Sequence, residues 1–269
     1  MSDSTIGITR GTRPDKAAQL PPLLRRRWVA LAGLDAVVLG LAVAALSVPW
    51  GAFRAFAWAL GVAAALLYQL WFVRRRLADN HRQGETTVLS TFGPGSALTL
   101  FRSLLLSLMI GFLFVPRPVG WLAWAPAALY TLADVSDYFD GYLARLSHHA
   151  TLFGEALDLE YDSLGLLAGV TLAITYGHLS PWFLPIGLAR YAFVAGAWAL
   201  NRAGRAPHVL PESASRRPIA GLTMGFVSAM LWPIMTPGVG NLAGSLFAVP
   251  LAASFARDWL VVSGAVDPH

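Results

Sequence analysis

The feature that most constrains this chain is a succession of long apolar stretches, each about 18–25 residues, the length that a membrane-spanning helix requires. Short segments that contain proline, glycine or arginine separate them. Helices that are apolar over this length are typical of a chain that folds within a lipid bilayer. Eight such stretches occur, at residues 28–48, 52–73, 98–115, 119–140, 152–176, 182–201, 218–235 and 241–262.

Composition points the same way. Of 269 residues, 56% are hydrophobic and only 13% are charged, and the mean hydropathy is +0.55. These values are typical of a polytopic membrane protein. The chain has no cysteine, which excludes disulfides and thiolate metal sites. We therefore predict an all-α polytopic membrane protein with about eight transmembrane helices.

The arginines predict the orientation of these helices. If the chain has eight spans, most of the arginines lie at the same end of the helices, and this end should face the cytoplasm. Both termini would then be cytoplasmic, in the cytoplasmic (inner or plasma) membrane. The net charge of +5 is therefore interpreted as topology and lipid headgroup contact, and no nucleic-acid partner is predicted. The arginines on the cytoplasmic side are Arg25–Arg27, Arg74–Arg76, Arg82, Arg145, Arg202, Arg205, Arg216 and Arg217.

A polar segment with several glycines divides the chain unequally. We predict a cytoplasmic N-terminal segment at 1–27 and two transmembrane helices within 28–73. A cytoplasmic linker at 74–94 precedes six spans within 95–262, and a tail follows at 263–269. The chemistry of the sequence gives the two N-terminal spans no role.

The acidic residues concentrate in one part of the chain. Seven of the 15 lie between Asp134 and Asp162. On a helix, Asp137 and Asp140 are three residues apart and Asp158 and Asp162 are four apart, so each pair shares a face. Two antiparallel helices can therefore direct both pairs into one cleft, at the predicted cytoplasmic ends of the fourth and fifth spans.

Carboxylates grouped in this way predict a metal site. Four that face one another cannot all remain ionised without cations, and two divalent ions about 3.5–4 Å apart are typical of phosphoryl transfer. Oxygen ligands favour Mg²⁺ or Mn²⁺ over zinc. Between the pairs, Gly141 leaves room for a ligand to approach the backbone and Ala144 keeps its turn small. Arg145 supplies a guanidinium suited to a phosphate.

This run resembles the signature of the CDP-alcohol phosphotransferase family. Residues 137–162 match D-x2-D-G-x2-A-R-x8-G-x3-D-x3-D at every specified position, and the family's six-helix core maps onto 95–262. A second match precedes it, where Leu98, Thr99 and Arg102 fit P-N-x-L-T-x2-R. Gly95 and Ser96 replace the proline and asparagine of that pattern.

The resemblance implies a reaction and a role for each residue. Such enzymes transfer a substituted phosphoryl group from a CDP-linked donor, usually CDP-diacylglycerol, to an alcohol and release CMP. Asp137, Asp140 and Asp158 would be ligands of two Mg²⁺ or Mn²⁺ ions. Asp162 would complete this site and act as general base. Members of this family often form homodimers. The nucleotide and diphosphate pocket would comprise Asp137, Gly141, Ala144, Arg145, Gly154 and Thr99.

Three further arginines are candidate ligands for the acceptor. Arg190 lies where a bare guanidinium is expensive, although snorkelling also explains it. Ala189–Tyr191 resembles an Ala-Arg-Glu stretch of members that use glycerol phosphate. Together, Arg190, Arg217 and Arg257 would favour a phosphorylated polyol as acceptor, such as glycerol 3-phosphate or inositol phosphate.

Two other functions fit part of the pattern. A membrane prenyltransferase also carries aspartate-rich motifs that hold Mg²⁺ on a diphosphate, but without the glycine and arginine between them. A cation transporter would distribute its carboxylates through the membrane.

Three other acidic residues have simpler interpretations. Asp35, in the first span, predicts a hydrogen bond between helices. Glu155 and Glu160 should lie at the rim of the site.

Overall fold

The computed structural model describes residues 20–146, 150–205, 208 and 216–265, except the side chains of Tyr138, 140–146, 216 and 217. No strand occurs among these residues, which confirms the all-helical class. Short 3₁₀ turns precede or follow several helices, at Leu77–Asp79, Gly111–Phe114, Gly120–Trp124 and Pro181–Phe183. The α-helices are α1 (Pro22–Trp50), α2 (Ala52–Arg76), α3 (Pro94–Ile110), α4 (Ala125–Leu146), α5 (Leu152–Thr175), α6 (Leu184–Arg202), α7 (Arg216–Met230) and α8 (Pro237–Val262).

The length and hydropathy of its helices identify the chain as a membrane protein. Within the described ranges, five helical segments are long and apolar enough to cross a bilayer, and α7 is apolar but shorter. The acidic residues of α4 and α5 lower their hydropathy, so the count of eight spans stays a prediction. The five segments are Pro22–Trp50, Ala52–Asp79, Pro94–Phe114, Pro181–Arg202 and Pro237–Val262.

Helix ends follow local signals in the sequence. The break expected at residues 49–51 occurs where α1 ends at Trp50. Gly51 has φ +77°, a left-handed conformation that glycine adopts without steric cost. Pro94 begins α3 and Pro237 begins α8, because the first turn of a helix needs no donor from proline.

The described residues form two compact units, divided after Gly165 within α5. The unit within Pro14–Gly165 contains α1 to α4 and the first half of α5. Its first two helices pack side by side, and the indole nitrogen of Trp28 donates to the Leu70 carbonyl over 3.0 Å. The expected interhelical bond of Asp35 is also present, since the Gln69 amide lies 3.4 Å from its carboxylate.

Helix α2 packs closely against the 3₁₀ turn that follows α3. A Cβ added to Gly111 would lie 2.6 Å from Val62 and 2.7 Å from the Trp58 indole nitrogen. Both of these α2 side chains are buried. The two N-terminal helices therefore belong to the same packed unit as α3 and α4.

The unit within Leu166–His269 contains the second half of α5 and α6 to α8. Its helices pack through aromatic side chains, including Phe226 stacked on Phe247 with ring centroids 4.7 Å apart. The buried His178 ring contacts the Met230 carbonyl at 2.6 Å.

Candidate active site

Three helices of the first unit meet at the predicted aspartate cleft. Asp137 comes from α4, Asp158 and Asp162 come from the first half of α5, and Arg102 comes from α3. The four-residue spacing on α5 places its two aspartates on one face, one turn apart. The side chains of Asp137, Asp158 and Asp162 are about one third exposed, at 32%, 41% and 32%.

Arg102 lies at the centre of this group. Its guanidinium forms an ion pair with Asp137, and Nη2 lies 2.6 Å from Asp158 Oδ1 and 2.9 Å from Asp162 Oδ1. Nη2 also donates to the backbone carbonyl of Asp158 over 3.2 Å. The Arg102 side chain is only 1% exposed. A buried guanidinium in an apolar helix needs partners such as carboxylates or backbone carbonyls.

The described residues of the cleft fit a cationic ligand. Three carboxylates surround one guanidinium, which leaves two uncompensated negative charges. One carboxylate oxygen from each of Asp137, Asp158 and Asp162 lies within 4.8 Å of the others. A set of carboxylate oxygens is the kind of site that Mg²⁺ and Mn²⁺ prefer. These three aspartates could therefore hold a divalent metal.

The remaining residues of the motif are only partly described. The side chains of Asp140, Gly141, Ala144 and Arg145 lie outside the described residues, although α4 includes their backbone. Their roles as metal, nucleotide and diphosphate ligands stay predictions.

Gly154 allows α5 to begin very close to α3. A Cβ at this position would lie 2.8 Å from Ser96 Oγ and 3.4 Å from Thr151 Oγ1. Thr151 caps α5, because its hydroxyl accepts a hydrogen bond from the Gly154 amide over 3.1 Å. Thr99 is buried, and its hydroxyl bonds to the Gly95 carbonyl over 3.1 Å. A nucleotide contact from Thr99 or Gly154 stays a prediction.

The linker before α3 is anchored beside the start of α5. Asn80 is fully buried and donates two 3.0 Å hydrogen bonds to the carbonyls of Leu89 and Thr91. The Leu152 amide donates to His81 over 3.1 Å. The Phe92 ring also stacks on Phe153, with centroids 5.3 Å apart. The linker therefore supports the first turn of the helix that carries Asp158 and Asp162.

The candidate acceptor ligands belong to the second unit or lie outside the described side chains. Arg190 is half-buried on α6. Arg257 is 56% exposed on α8, where Nη2 lies 3.2 Å from the carboxylate of Asp258. The Arg217 side chain lies outside the described residues. Their role in acceptor binding stays a prediction.

The sequence did not predict a role for Arg102, although Arg102 fills the arginine position of P-N-x-L-T-x2-R. The available signal was a single arginine within the apolar stretch 98–115, since such a charge needs partners inside the membrane. The rim position expected for Glu160 stays a prediction, but nothing in the sequence indicated that its carboxylate accepts a 2.5 Å hydrogen bond from the Tyr68 hydroxyl of α2.

Comparisons with known proteins give one family. The family model described as CDP-alcohol phosphatidyltransferase matches residues 95–257. A CDP-diacylglycerol–glycerol-3-phosphate 3-phosphatidyltransferase of Cereibacter sphaeroides is 39% identical over 88 residues, which are 32% of this chain and 39% of the relative. A protein of the same name from Escherichia coli K12 is 32% identical over 98 residues, 36% of this chain and 52% of the relative.

The matched stretches thus span about half or less of the curated relatives. No solved structure matches the chain.

Proposed function

Because this chain belongs to the CDP-alcohol phosphatidyltransferase family of membrane enzymes, we propose that it transfers a phosphatidyl group from CDP-diacylglycerol to an alcohol and releases CMP. The observation that carries the proposal is the meeting of Asp137, Asp158 and Asp162 around the buried Arg102. These are three of the four aspartates in the motif that resembles the family signature, and α4 and α5 bring them together.

The reaction forms one bond and breaks one. The acceptor hydroxyl oxygen attacks the phosphorus that carries diacylglycerol, and the bond from that phosphorus to the bridging oxygen of the diphosphate breaks. CMP leaves with the bridging oxygen. Asp162 takes the hydroxyl proton, either directly or through one water, and later releases it to solvent. The Asp162 side chain is 32% exposed while its Oδ1 is buried toward Arg102, so Oδ2 would take the proton.

The protein's other residues bind and orient the donor. Asp137, Asp140 and Asp158, with Asp162, would hold two Mg²⁺ or Mn²⁺ ions. Bound divalent ions would neutralise the diphosphate and the charge that develops on it. Arg102 fixes the carboxylates of α4 and α5 relative to each other through its ion pairs. Gly141, Ala144, Arg145, Gly154 and Thr99 complete the proposed nucleotide and diphosphate pocket.

For the acceptor we propose a phosphorylated polyol, first of all glycerol 3-phosphate. The names of the relatives from C. sphaeroides and E. coli support it. Arg190, Arg217 and Arg257 would supply the cationic ligands that a second phosphate requires. Membership in this family gives no support to the prenyltransferase or transporter alternatives.

The test is CMP release by the purified protein in detergent with CDP-diacylglycerol and Mg²⁺. Glycerol 3-phosphate, inositol 1-phosphate, inositol and serine are compared as acceptors. Acceptor-dependent CMP should appear with glycerol 3-phosphate and fall about 10²–10⁴-fold in Asp162→Asn, the usual contribution of a general base. Asp79→Asn is the matched control, because the Asp79 side chain is 39% exposed and pairs with Arg76 outside the cleft.

Each negative result has a defined meaning. Absence of CMP with every acceptor contradicts the proposed reaction. A preference for serine over glycerol 3-phosphate contradicts the proposed acceptor class while leaving the reaction intact.

A further inference from the structure

A hydrogen bond joins the N-terminal helices to the helix that carries two of the site aspartates. The Tyr68 hydroxyl of α2 donates to Glu160 Oε1 of α5 over 2.5 Å. Glu160 lies midway between Asp158 and Asp162 in the sequence. A hydrogen bond to an ionised carboxylate is among the stronger kinds in proteins.

Tyr68 and Arg102 hold α5 from different sides. Successive residues turn by about 100° on a helix, so Glu160 points about 200° away from Asp158. Arg102 therefore contacts the aspartate face of α5, and Tyr68 contacts the opposite face. Between these faces, Leu157 and Tyr161 are fully buried. The contacts made by Arg102, by Tyr68 and by these two buried side chains together define how α5 is rotated about its own axis.

Helix α2 is itself firmly placed. The residue after Tyr68 is the fully buried Gln69, which reaches Asp35 of α1 over 3.4 Å. Nearer its start, α2 packs against Gly111 so closely that a side chain there would collide with Trp58. The pair α1 and α2 can therefore act as a fixed support for α5.

We propose that Tyr68 and Glu160 are positioning residues that set the rotation of α5, so that Asp158 and Asp162 face Asp137 at the spacing that a metal requires. The inference rests on the proposed function, because it takes these aspartates as metal ligands. A carboxylate lies about 5–6 Å from the helix axis, so a rotation of about 10° displaces it by about 1 Å. Errors of that size impair metal sites and catalysis. The two N-terminal helices thus gain a role in the reaction.

The experiment measures Mn²⁺ binding and CMP release on the full-length protein in detergent. Free Mn²⁺ is followed by electron paramagnetic resonance in the absence of any CDP donor. We expect Tyr68→Phe and Glu160→Ala to weaken Mn²⁺ binding about tenfold and to raise the Mg²⁺ concentration for half-maximal CMP release by a similar factor. Glu160→Gln keeps an acceptor oxygen for Tyr68 and should lie closer to the parent protein.

Two comparisons separate positioning from general stability. Tyr176→Phe makes the same chemical change sixteen residues beyond Glu160 and should leave Mn²⁺ binding unaltered. The double variant Tyr68→Phe/Glu160→Ala should lose no more affinity than either single variant, because one hydrogen bond is removed in each case. If Tyr68→Phe does not fold, the Glu160→Gln and Glu160→Ala pair makes the same comparison.

The outcomes also separate this inference from the proposed function. Unchanged Mn²⁺ affinity and metal dependence in these variants overturns the positioning role, even if the parent protein releases CMP. A parent protein that binds Mn²⁺ and releases no CMP contradicts the proposed function, whereas weaker Mn²⁺ binding in Tyr68→Phe would still support positioning.

Discussion

At the residue scale, the arrangement around Arg102 explains how this membrane protein keeps three carboxylates together. One guanidinium contacts Asp137, Asp158 and Asp162, and it is itself almost fully buried. Removing either sign of charge leaves the other without compensation. Removal of the Arg102 charge should destabilise the protein most, because three like charges then remain within a few ångströms of one another.

We therefore expect Arg102→Gln to lower the stability of the protein without divalent ions. The loss should be about 2 kcal/mol, less than for a fully buried ion pair, since water screens carboxylates that are one third exposed. Thermal unfolding in detergent measures it, and added Mn²⁺ should restore part of the loss by replacing the missing positive charge.

Arg76→Gln is the matched control for this experiment. Arg76 also pairs with an aspartate, Asp79, but both side chains are about 40% exposed, at 41% and 39%. Such surface pairs contribute at most about 1 kcal/mol. Equal unfolding temperatures for the two variants would mean that the central ion pairs of Arg102 contribute no more than a surface pair.

At the scale of the elements, the close approach of α5 to α3 depends on a missing side chain. Gly154 leaves space for Ser96 Oγ, which would lie 2.8 Å from an added Cβ. This contact is tighter than real side chains adopt. The start of α5 and the position of Asp158, one turn later, are therefore coupled to the size of both residues.

Gly154→Ala should displace the first turn of α5 and reduce CMP release, at a cost of about 1–3 kcal/mol for overpacking. Ser96→Ala alone removes only a hydroxyl and should have a smaller effect. The double variant Gly154→Ala/Ser96→Ala should recover the stability that Gly154→Ala loses, because the clashing oxygen is gone. A double variant no better than Gly154→Ala would contradict this steric explanation.

The linker offers a second test at this scale. Asn80→Ala removes two hydrogen bonds from a fully buried side chain, each with a net contribution of about 1 kcal/mol. We expect faster proteolysis within residues 81–93 and a lower unfolding temperature. Asn201→Ala serves as control, because Asn201 is exposed near the end of α6. Identical proteolysis of both variants would contradict the anchoring role of Asn80.

At the scale of the whole molecule, the arginine distribution predicts which loops face the cytoplasm. The chain has no cysteine, so a single introduced cysteine reports its own side of the membrane. Val119 is 83% exposed between α3 and α4, and Thr86 is exposed in the linker before α3. These two positions should lie on opposite sides.

A membrane-impermeant maleimide should therefore label Val119→Cys in intact cells and Thr86→Cys only after lysis. This result follows from the positive-inside rule, because Arg74–Arg76 and Arg82 adjoin the linker. Labelling of Thr86→Cys in intact cells would contradict the cytoplasmic placement of the linker and of the candidate site.

The sequence by itself determined the helical class, the membrane environment, most helix ends and the grouping of Asp137, Asp158 and Asp162. Hydropathy, proline, glycine and four-residue spacing act within one element, so they can be seen along the chain. Only the tertiary structure decided that Arg102 binds three of these aspartates and that Tyr68 holds α5 through Glu160. Each of these contacts joins helices far apart in sequence, and Tyr68 and Glu160 are 92 positions apart. Side-chain partners at such separations depend on how helices pack, which no local pattern encodes.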